Sequence, residues 1–160
     1  MHRNQQWIRR GWGGRGGVDI GPSGPDPQYS SARFFGPAQR TCAARLKWSV
    51  APTFGDANHE PTVRVAGSLN VSARPGDVIG LMGSVQDPDG GGVTVKWWQY
   101  AEADSYPGRV TLSDSTALAT NLRVPTDATP GETIHLILEA TDDGTPALTR
   151  YQRIIVSVMP

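Results

Sequence analysis

Three aromatic side chains near the middle of the chain have the chemistry of a sugar-binding surface. Trp98 and Tyr100 lie two residues apart in the alternating segment 93–100, and Tyr106 follows shortly after. Side chains two residues apart on a strand project from the same face of a sheet, and a flat aromatic ring can stack on the apolar face of a sugar. Trp98, Tyr100 and Tyr106 are therefore the predicted carbohydrate-binding residues. The alternative is that the loop 101–109 or the N-terminal segment covers Trp98.

Four aspartates could supply oxygen ligands to a calcium ion. Asp87 and Asp89 belong to an Asp-Pro-Asp-Gly stretch, and Asp142 and Asp143 precede a glycine. In an immunoglobulin-like sandwich the two corresponding loops share one end of the domain, and Ca²⁺ takes about six to eight oxygen ligands. Both stretches are also typical of tight turns that need no metal. Calcium binding and plain turn formation are therefore alternative interpretations of these aspartates.

One histidine stands among polar residues between the two halves of the chain. His59 follows Asp56 and Asn58 and precedes Glu60, so it could bind a metal or act as a base. No serine or cysteine has a spacing to it that supports a catalytic triad. We therefore expect His59 to lie at the surface or at a domain junction.

Short apolar segments separated by turn residues must position these side chains. Spacings of about 8 to 12 residues between such segments are typical of an all-β sandwich. We predict an immunoglobulin-like antiparallel sandwich of about seven or eight strands over residues 61–160, in which Trp97 is a core residue. The predicted strands are 62–66, 69–73, 77–85, 93–101, 109–112, 117–124, 133–141 and 149–159.

The first 60 residues differ from the rest of the chain in composition. Residues 1–40 are rich in Gly, Arg, Pro and Ser, so we predict a loop-rich segment. Residues 39–51 could form one short helix with Cys42, Leu46 and Val50 on one side, and Pro52 would end it. Basic side chains predominate before residue 48. They indicate either a nucleic-acid-binding arm or a surface that packs on another domain.

Composition excludes several classes of function. The 160 residues contain 15 Lys+Arg and 15 Asp+Glu, so no overall field favours nucleic acid or an anionic membrane. Cys42 is the only cysteine, which excludes an internal disulfide and a multi-cysteine zinc site. No apolar run approaches the roughly 18 residues of a membrane span. The N-terminal residues lack the apolar core of a signal peptide.

Several motifs together resemble a known bacterial family. The sandwich pattern resembles polycystic-kidney-disease-type and cadherin-like modules. KWWQY, DDGTPALTRYQR and, upstream, GWGGR and AARLKWSV resemble the C-terminal part of nucleoside-hydrolase-like proteins in a family labelled cellulose-binding. The resemblance implies that residues 1–60 are the tail of a hydrolase-like domain and that residues 61–160 are the module that follows it.

The resemblance also sets the functional expectation. Nucleoside hydrolases use an N-terminal cluster of aspartates, and residues 1–60 contain no such cluster. We therefore expect a fragment or truncated relative that is not an enzyme but a non-catalytic module binding a cellulose-type polysaccharide. The alternative is a structural module that packs on and stabilises the hydrolase-like domain. Its family implies a secreted or periplasmic bacterial protein, with no nucleic-acid or membrane partner and with calcium as the one candidate cofactor.

Overall fold

Seven strands form the body of the protein. The computed structural model describes residues 20–21, 24–25 and 29–160, with side chains from Arg33 onward. A two-residue strand pair, β1 (Ile20–Gly21) and β2 (Gly24–Pro25), precedes a helix, α1 (Tyr29–Trp48). The strands that follow are β3 (Thr62–Val65), β4 (Asn70–Ala73), β5 (Val78–Gln86), β6 (Val93–Gln99), β7 (Ala119–Arg123), β8 (Thr133–Asp142) and β9 (Thr149–Val158).

These seven strands form two sheets. One sheet has the order β3-β5-β7, and the other has the order β4-β9-β8-β6. The sheets are antiparallel apart from β4, which pairs with β9 in parallel. The prediction of an all-β sandwich is confirmed, whereas the prediction of a purely antiparallel one is wrong at this edge strand. The more specific immunoglobulin-like assignment stays a prediction.

The core lies between the two sheets. Ile134, Leu136 and Leu138 of β8 point inward in alternation and are completely buried. Trp97 of β6 is 1% exposed and donates from Nε1 to the carbonyl of Ala117 at 3.0 Å, which confirms its predicted core position. A buried indole with its N–H satisfied combines a large apolar contact area with no unpaired donor. The same alternation places the side chains of Trp98 and Ile137 on the outer face of this sheet.

Two segments differ from the sequence-based expectation. Residues 109–112 were predicted to form a strand but do not. The backbone N–H of Val110 donates to Gln99 Oε1 at 2.9 Å instead of to a neighbouring strand. Leu112 makes an isolated bridge with Leu122 and no further ladder.

The helix is the second difference. α1 has 20 residues and contains Pro37, so it is longer than the predicted short helix 39–51 and begins ten residues earlier. Arg45 and Lys47 in its last turn complement the negative end of the helix dipole. No helix within the described residues is both long enough and apolar enough to cross a membrane. GWGGR, Trp7 and Trp12 lie outside the described residues.

Candidate functional site

Helix α1 lies against the outer face of the four-stranded sheet through Phe34. The Phe34 ring meets Tyr151 at 5.2 Å and Tyr100 at 6.0 Å, both edge-to-face, and Trp98 at 6.2 Å. Ile137 and Ala103 are buried in the same cluster. Edge-to-face aromatic pairs add about 0.5–1.5 kcal/mol each beyond the area that they bury. The cluster of Phe34, Trp98, Tyr100, Ala103, Ile137 and Tyr151, here called the aromatic cluster, is therefore a second and smaller core.

Ionic contacts reinforce this contact between helix and sheet. Arg33 forms a salt bridge with Glu102 at 2.9 Å, and the Glu102 side chain is only 6% exposed. The Arg33 guanidinium also lies 4.7 Å from the centre of the Trp98 ring, in a cation–π arrangement. Farther along α1, Arg40 donates from Nε to the carbonyl of Ala147 at 3.0 Å. The arginines described on α1 therefore serve packing within this chain.

The three predicted carbohydrate-binding aromatics do not form one surface. Tyr106 is 6% exposed, lies in the main core and donates to Asp127 at 2.9 Å. Tyr100 is 3% exposed beneath Phe34. Trp98 is half-buried and donates from Nε1 to Glu139 at 3.0 Å. Neither tyrosine presents an open ring face to a ligand, and the covering predicted as the alternative for Trp98 comes from α1.

An open groove runs beside Trp98. It has a volume of about 510 Å³. Gln99 lies at its base with its amide fully engaged, since Nε2 donates to Asp104 and to the carbonyl of Gly108, and Oε1 accepts from Val110. The lining residues are Arg33, Lys96, Trp98, Gln99, Arg109, Val110 and Glu139.

The linker between α1 and β3 is attached to the loop end of the sandwich. His59 stacks on Phe54 at 3.7 Å and on Trp48 at 5.0 Å, and its Nδ1 lies 2.9 Å from Asp89 Oδ1. Asn58 donates from Nδ2 to both carboxylate oxygens of Asp142 at 3.1 Å. His59 thus lies at a junction, as predicted.

Nearby acidic residues belong to the same junction. Asp56 accepts from the backbone N–H and the hydroxyl of Thr53. Glu60 is ion-paired with Arg150. These contacts tie the linker to itself and to β9, and they engage the polar side chains around His59 apart from Glu60 Oε1, which is buried without a hydrogen-bond partner.

The four aspartates predicted for calcium each accept hydrogen bonds from the protein. Asp87 accepts from the N–H of Asp89 at 2.6 Å, as in a turn, and Asp143 accepts from that of Gly92 at 3.0 Å. Asp89 is engaged by His59, and the buried Asp142 by Asn58. Across residues 29–160 no three His, Cys, Asp or Glu side chains come close enough to hold a metal ion. The calcium site at these aspartates stays a prediction.

Two buried ionisable residues, Asp104 and His135, lie where the loop after β6 crosses β8, and the Asp104 carboxylate contacts the His135 backbone. Asp104 accepts from the backbone N–H of His135 at 2.6 Å and from Gln99. Burial raises the pKa of Asp104 to about 6, against the opposing effect of these hydrogen bonds. Burial, together with the charge of Arg153, lowers the pKa of His135 to about 4. His135 Nδ1 is buried with no hydrogen-bond partner.

Sequence reasoning did not assign Phe34, Arg33, Tyr151 and Glu139 to the surroundings of Trp98, although an aromatic such as Phe34 in a loop-rich segment is expected to pack on a partner surface. Tyr151 and Glu139 lie on the outward face of strands that were correctly predicted, so alternation alone could have paired them with Trp98. Phe34 lies before Gly36-Pro37, a pair that suggests a helix break. The available signal was the spacing of Phe34, Thr41, Ala44 and Trp48, which repeats every three, four or seven residues along α1.

Comparison with known families and structures gives two informative matches. The profile described as "Cellulose-binding protein Sde0182, C-terminal domain" matches residues 79–158, from β5 to the end of β9. A solved structure of a nucleoside hydrolase-related hypothetical protein from Saccharophagus degradans, described as associated with carbohydrate metabolism, is 32% identical with a TM-score of 0.75. That match covers 79% of this chain and 32% of the other, so this chain spans about a third of its relative.

The other comparisons add no evidence about the function of the chain. Murine CRIg is 15% identical over 63% of this chain and 98% of its own, and the TM-score of 0.37 is too low to support an argument. No curated protein sequence matches the chain.

The pKa shifts of Asp104 and His135 predict opposite dependences of stability on pH. Between about pH 4 and 6 the folded state holds the extra proton on Asp104, whereas the unfolded state holds it on His135. The contribution of Asp104 to the free energy of unfolding therefore falls as pH rises through this window, whereas the contribution of His135 rises. Relative to the unmodified chain, His135→Leu should lose free energy of unfolding as pH rises, and Asp104→Asn should gain it.

Urea unfolding at several pH values between about 4 and 6.5 measures both differences. Because each variant is compared with the unmodified chain, groups that titrate equally in all three proteins cancel. Slopes of the same sign for both variants would contradict the assignment.

Proposed function

This chain belongs to the family of the cellulose-binding protein Sde0182 C-terminal domain, and we propose that it packs on and stabilises a nucleoside-hydrolase-like domain. In this proposal the sandwich is a non-catalytic module, and α1 is the element that connects the two bodies. The observation that carries the proposal is the insertion of Phe34 into the aromatic cluster, which fixes one face of α1 to the sheet. Aromatic rings that a sugar-binding surface would leave open to a ligand instead pack against α1.

The opposite face of α1 supports this proposal. Phe35, Cys42 and Leu46 are exposed on α1, and Val50 follows just beyond its end at the same helical spacing. Phe35, Leu46 and Val50 are 61%, 68% and 79% exposed. These four residues, here called the outer stripe, form a row of apolar side chains without a partner in the described part of the chain. Such rows are typical of surfaces that another protein body covers.

The extent of the structural match indicates what covers the outer stripe. The Saccharophagus protein matches over 79% of this chain, which is more than the sandwich from residue 61 onward contains. The match therefore includes residues that precede the sandwich. About two thirds of the relative lies outside the match, and its description as nucleoside hydrolase-related supports a hydrolase-like domain as the occupant. If the two domains belong to one polypeptide, as the length of the relative suggests, this occupant has a higher effective concentration than a second copy of the chain.

A chimera tests this role of α1. In the Saccharophagus protein with its matched third replaced by this chain, Phe35→Glu with Leu46→Glu should lower the melting temperature or split one unfolding transition into two. Buried charges without partners and lost apolar contact weaken an interface. In the 160-residue chain alone, the same pair should change the melting temperature little, because both side chains are exposed.

Val78→Glu with Met82→Glu is the matched control. Both side chains are similarly exposed, at 57% and 56%, but they lie on β5. Differential scanning calorimetry should separate the two pairs in the chimera and not in the chain alone. Equal effects of the two pairs in the chimera would contradict docking through the outer stripe.

A second candidate function is binding of a cellulose-type polysaccharide, which the family description supports in general terms. The favouring observation is the open groove along half-buried Trp98. An indole edge next to polar side chains is ordinary sugar-binding chemistry. Tyr100 and Tyr106 contribute to this candidate only by supporting the walls, since both are buried.

Retention on insoluble cellulose tests this second candidate. The intact chain should be retained, and Trp98→Ala should weaken retention by about tenfold, the value of one aromatic contact. Phe35→Ala removes an exposed aromatic outside the groove and should leave retention unchanged. Failure of the intact chain to bind would contradict the candidate without affecting the docking of α1.

A further inference from the structure

The groove beside Trp98 carries an excess of positive charge. Its lining includes Arg33, Lys96 and Arg109 against the single carboxylate of Glu139. Arg33 is already paired with Glu102 and lies over the Trp98 ring. Lys96 and Arg109 are exposed, and neither is within ion-pair distance of a carboxylate in residues 29–160. The charge of Arg109 does act on the buried carboxyl of Asp104, whereas its exposed guanidinium can still pair with a ligand. The balance of the groove therefore favours an anion, although the chain as a whole is neutral.

The remaining lining groups are held in place. Gln99 has its amide bonded on both sides, so it shapes the groove and fixes the backbone that leads to Arg109. Glu139 accepts from the Trp98 indole and lies directly across the sheet from Lys96. A ligand would meet a fixed indole edge, one carboxylate acceptor and two cations on flexible stems. A hydroxylated ring with one carboxylate suits this set better than a neutral ring.

We propose that this groove binds a carboxylate-bearing sugar of an acidic polysaccharide, a uronate, with Lys96 and Arg109 as the residues that pair with its carboxylate. The proposal rests on the carbohydrate-binding candidate above and names its sugar class. Arginine forms paired N–H···O bonds to a carboxylate, and lysine adds a mobile charge. Glu139 accepts from ring hydroxyls, and Trp98 contacts the apolar face or edge of the ring.

The groove is built by two parts of the chain. Arg33 comes from α1, whereas the other lining residues come from β6, β8 and the loop after β6. A uronate bound there therefore has one more wall to contact when α1 is docked than when it is undocked. By linkage, ligand binding and α1 docking stabilise each other. Loss of docking in Phe34→Ala therefore weakens uronate binding although Phe34 does not line the groove.

Calorimetric titration of the 160-residue chain tests the proposal, with short oligogalacturonates as the acidic probe and cello-oligosaccharides of equal length as the neutral one. The acidic probe should bind at least about tenfold more tightly at low salt, and its affinity should fall as salt rises. Lys96→Gln and Arg109→Gln should each lower the affinity for the acidic probe by about tenfold. Both side chains are exposed, so the melting temperatures should stay unchanged.

Arg64→Gln and Arg123→Gln are matched controls. They remove the same charge from exposed positions on the other sheet and should leave affinity unchanged. An equal loss in these controls would mean nonspecific attraction and overturn the proposal. Equal binding of the neutral probe would overturn the acidic class while upholding the carbohydrate-binding candidate. No binding of either probe would overturn both, and the docking of α1 would still be tested separately by the chimera.

Discussion

The burial of Phe34 against the outer face of a β-sheet is the contact on which the arrangement depends. An outward sheet face of a sandwich ordinarily meets water, yet here β6, β8 and β9 present Trp98, Ile137 and Tyr151 to a helix. Burial raises the pKa of Tyr151 to about 12, because the cluster disfavours the charged phenolate. This contact places Arg33 over Trp98, forms one wall of the groove and turns the outer stripe away from the sandwich. The docking of α1, the groove beside Trp98 and the exposure of the outer stripe all follow from the packing of Phe34 into the aromatic cluster.

The same contact explains why the aromatic residues are poor evidence for sugar binding when taken alone. A sugar platform needs open ring faces, whereas the Trp98 ring is covered by Arg33 and Phe34, and Tyr100 by Phe34. What is open is the groove edge, where charge and not stacking area distinguishes one ligand from another. The junction around His59 is similar in that its polar groups serve contacts within the chain. The carboxylates of Asp89 and Asp142 accept hydrogen bonds from His59 and Asn58 of the linker. Polar residues at this end therefore fix the position of α1 rather than create a separate site.

The sandwich could be predicted from sequence because its strands satisfy local rules. β8 and β9 have apolar residues on both faces, as central strands do, and every second residue faces the core. The turn at residues 87–90 has the expected Asp, Pro and Gly, and Gly90 adopts a positive φ. The parallel pairing of β4 with β9 could not be predicted, since edge pairing depends on the whole sheet. Cys42 and Leu46 were correctly grouped on one side of a helix, which ends before Val50, but only packing shows that this side points away from the sandwich. The helical setting of Phe34 and its contact with the sheet were not predicted, because Gly36-Pro37 suggests a break that tertiary contacts override.

Hydrogen–deuterium exchange of the α1 amides tests most directly whether Phe34 holds the helix to the sandwich. Phe34→Ala and Phe35→Ala remove the same ring from adjacent positions, one in the aromatic cluster and one 61% exposed. Phe34→Ala should cost about 1–3 kcal/mol of docking free energy, because the ring is half-buried, and should speed α1 exchange roughly tenfold to a hundredfold. Phe35→Ala should leave exchange nearly unchanged, and the amides of β8 should stay protected in both variants. Equal exchange of α1 in the two variants would contradict the account.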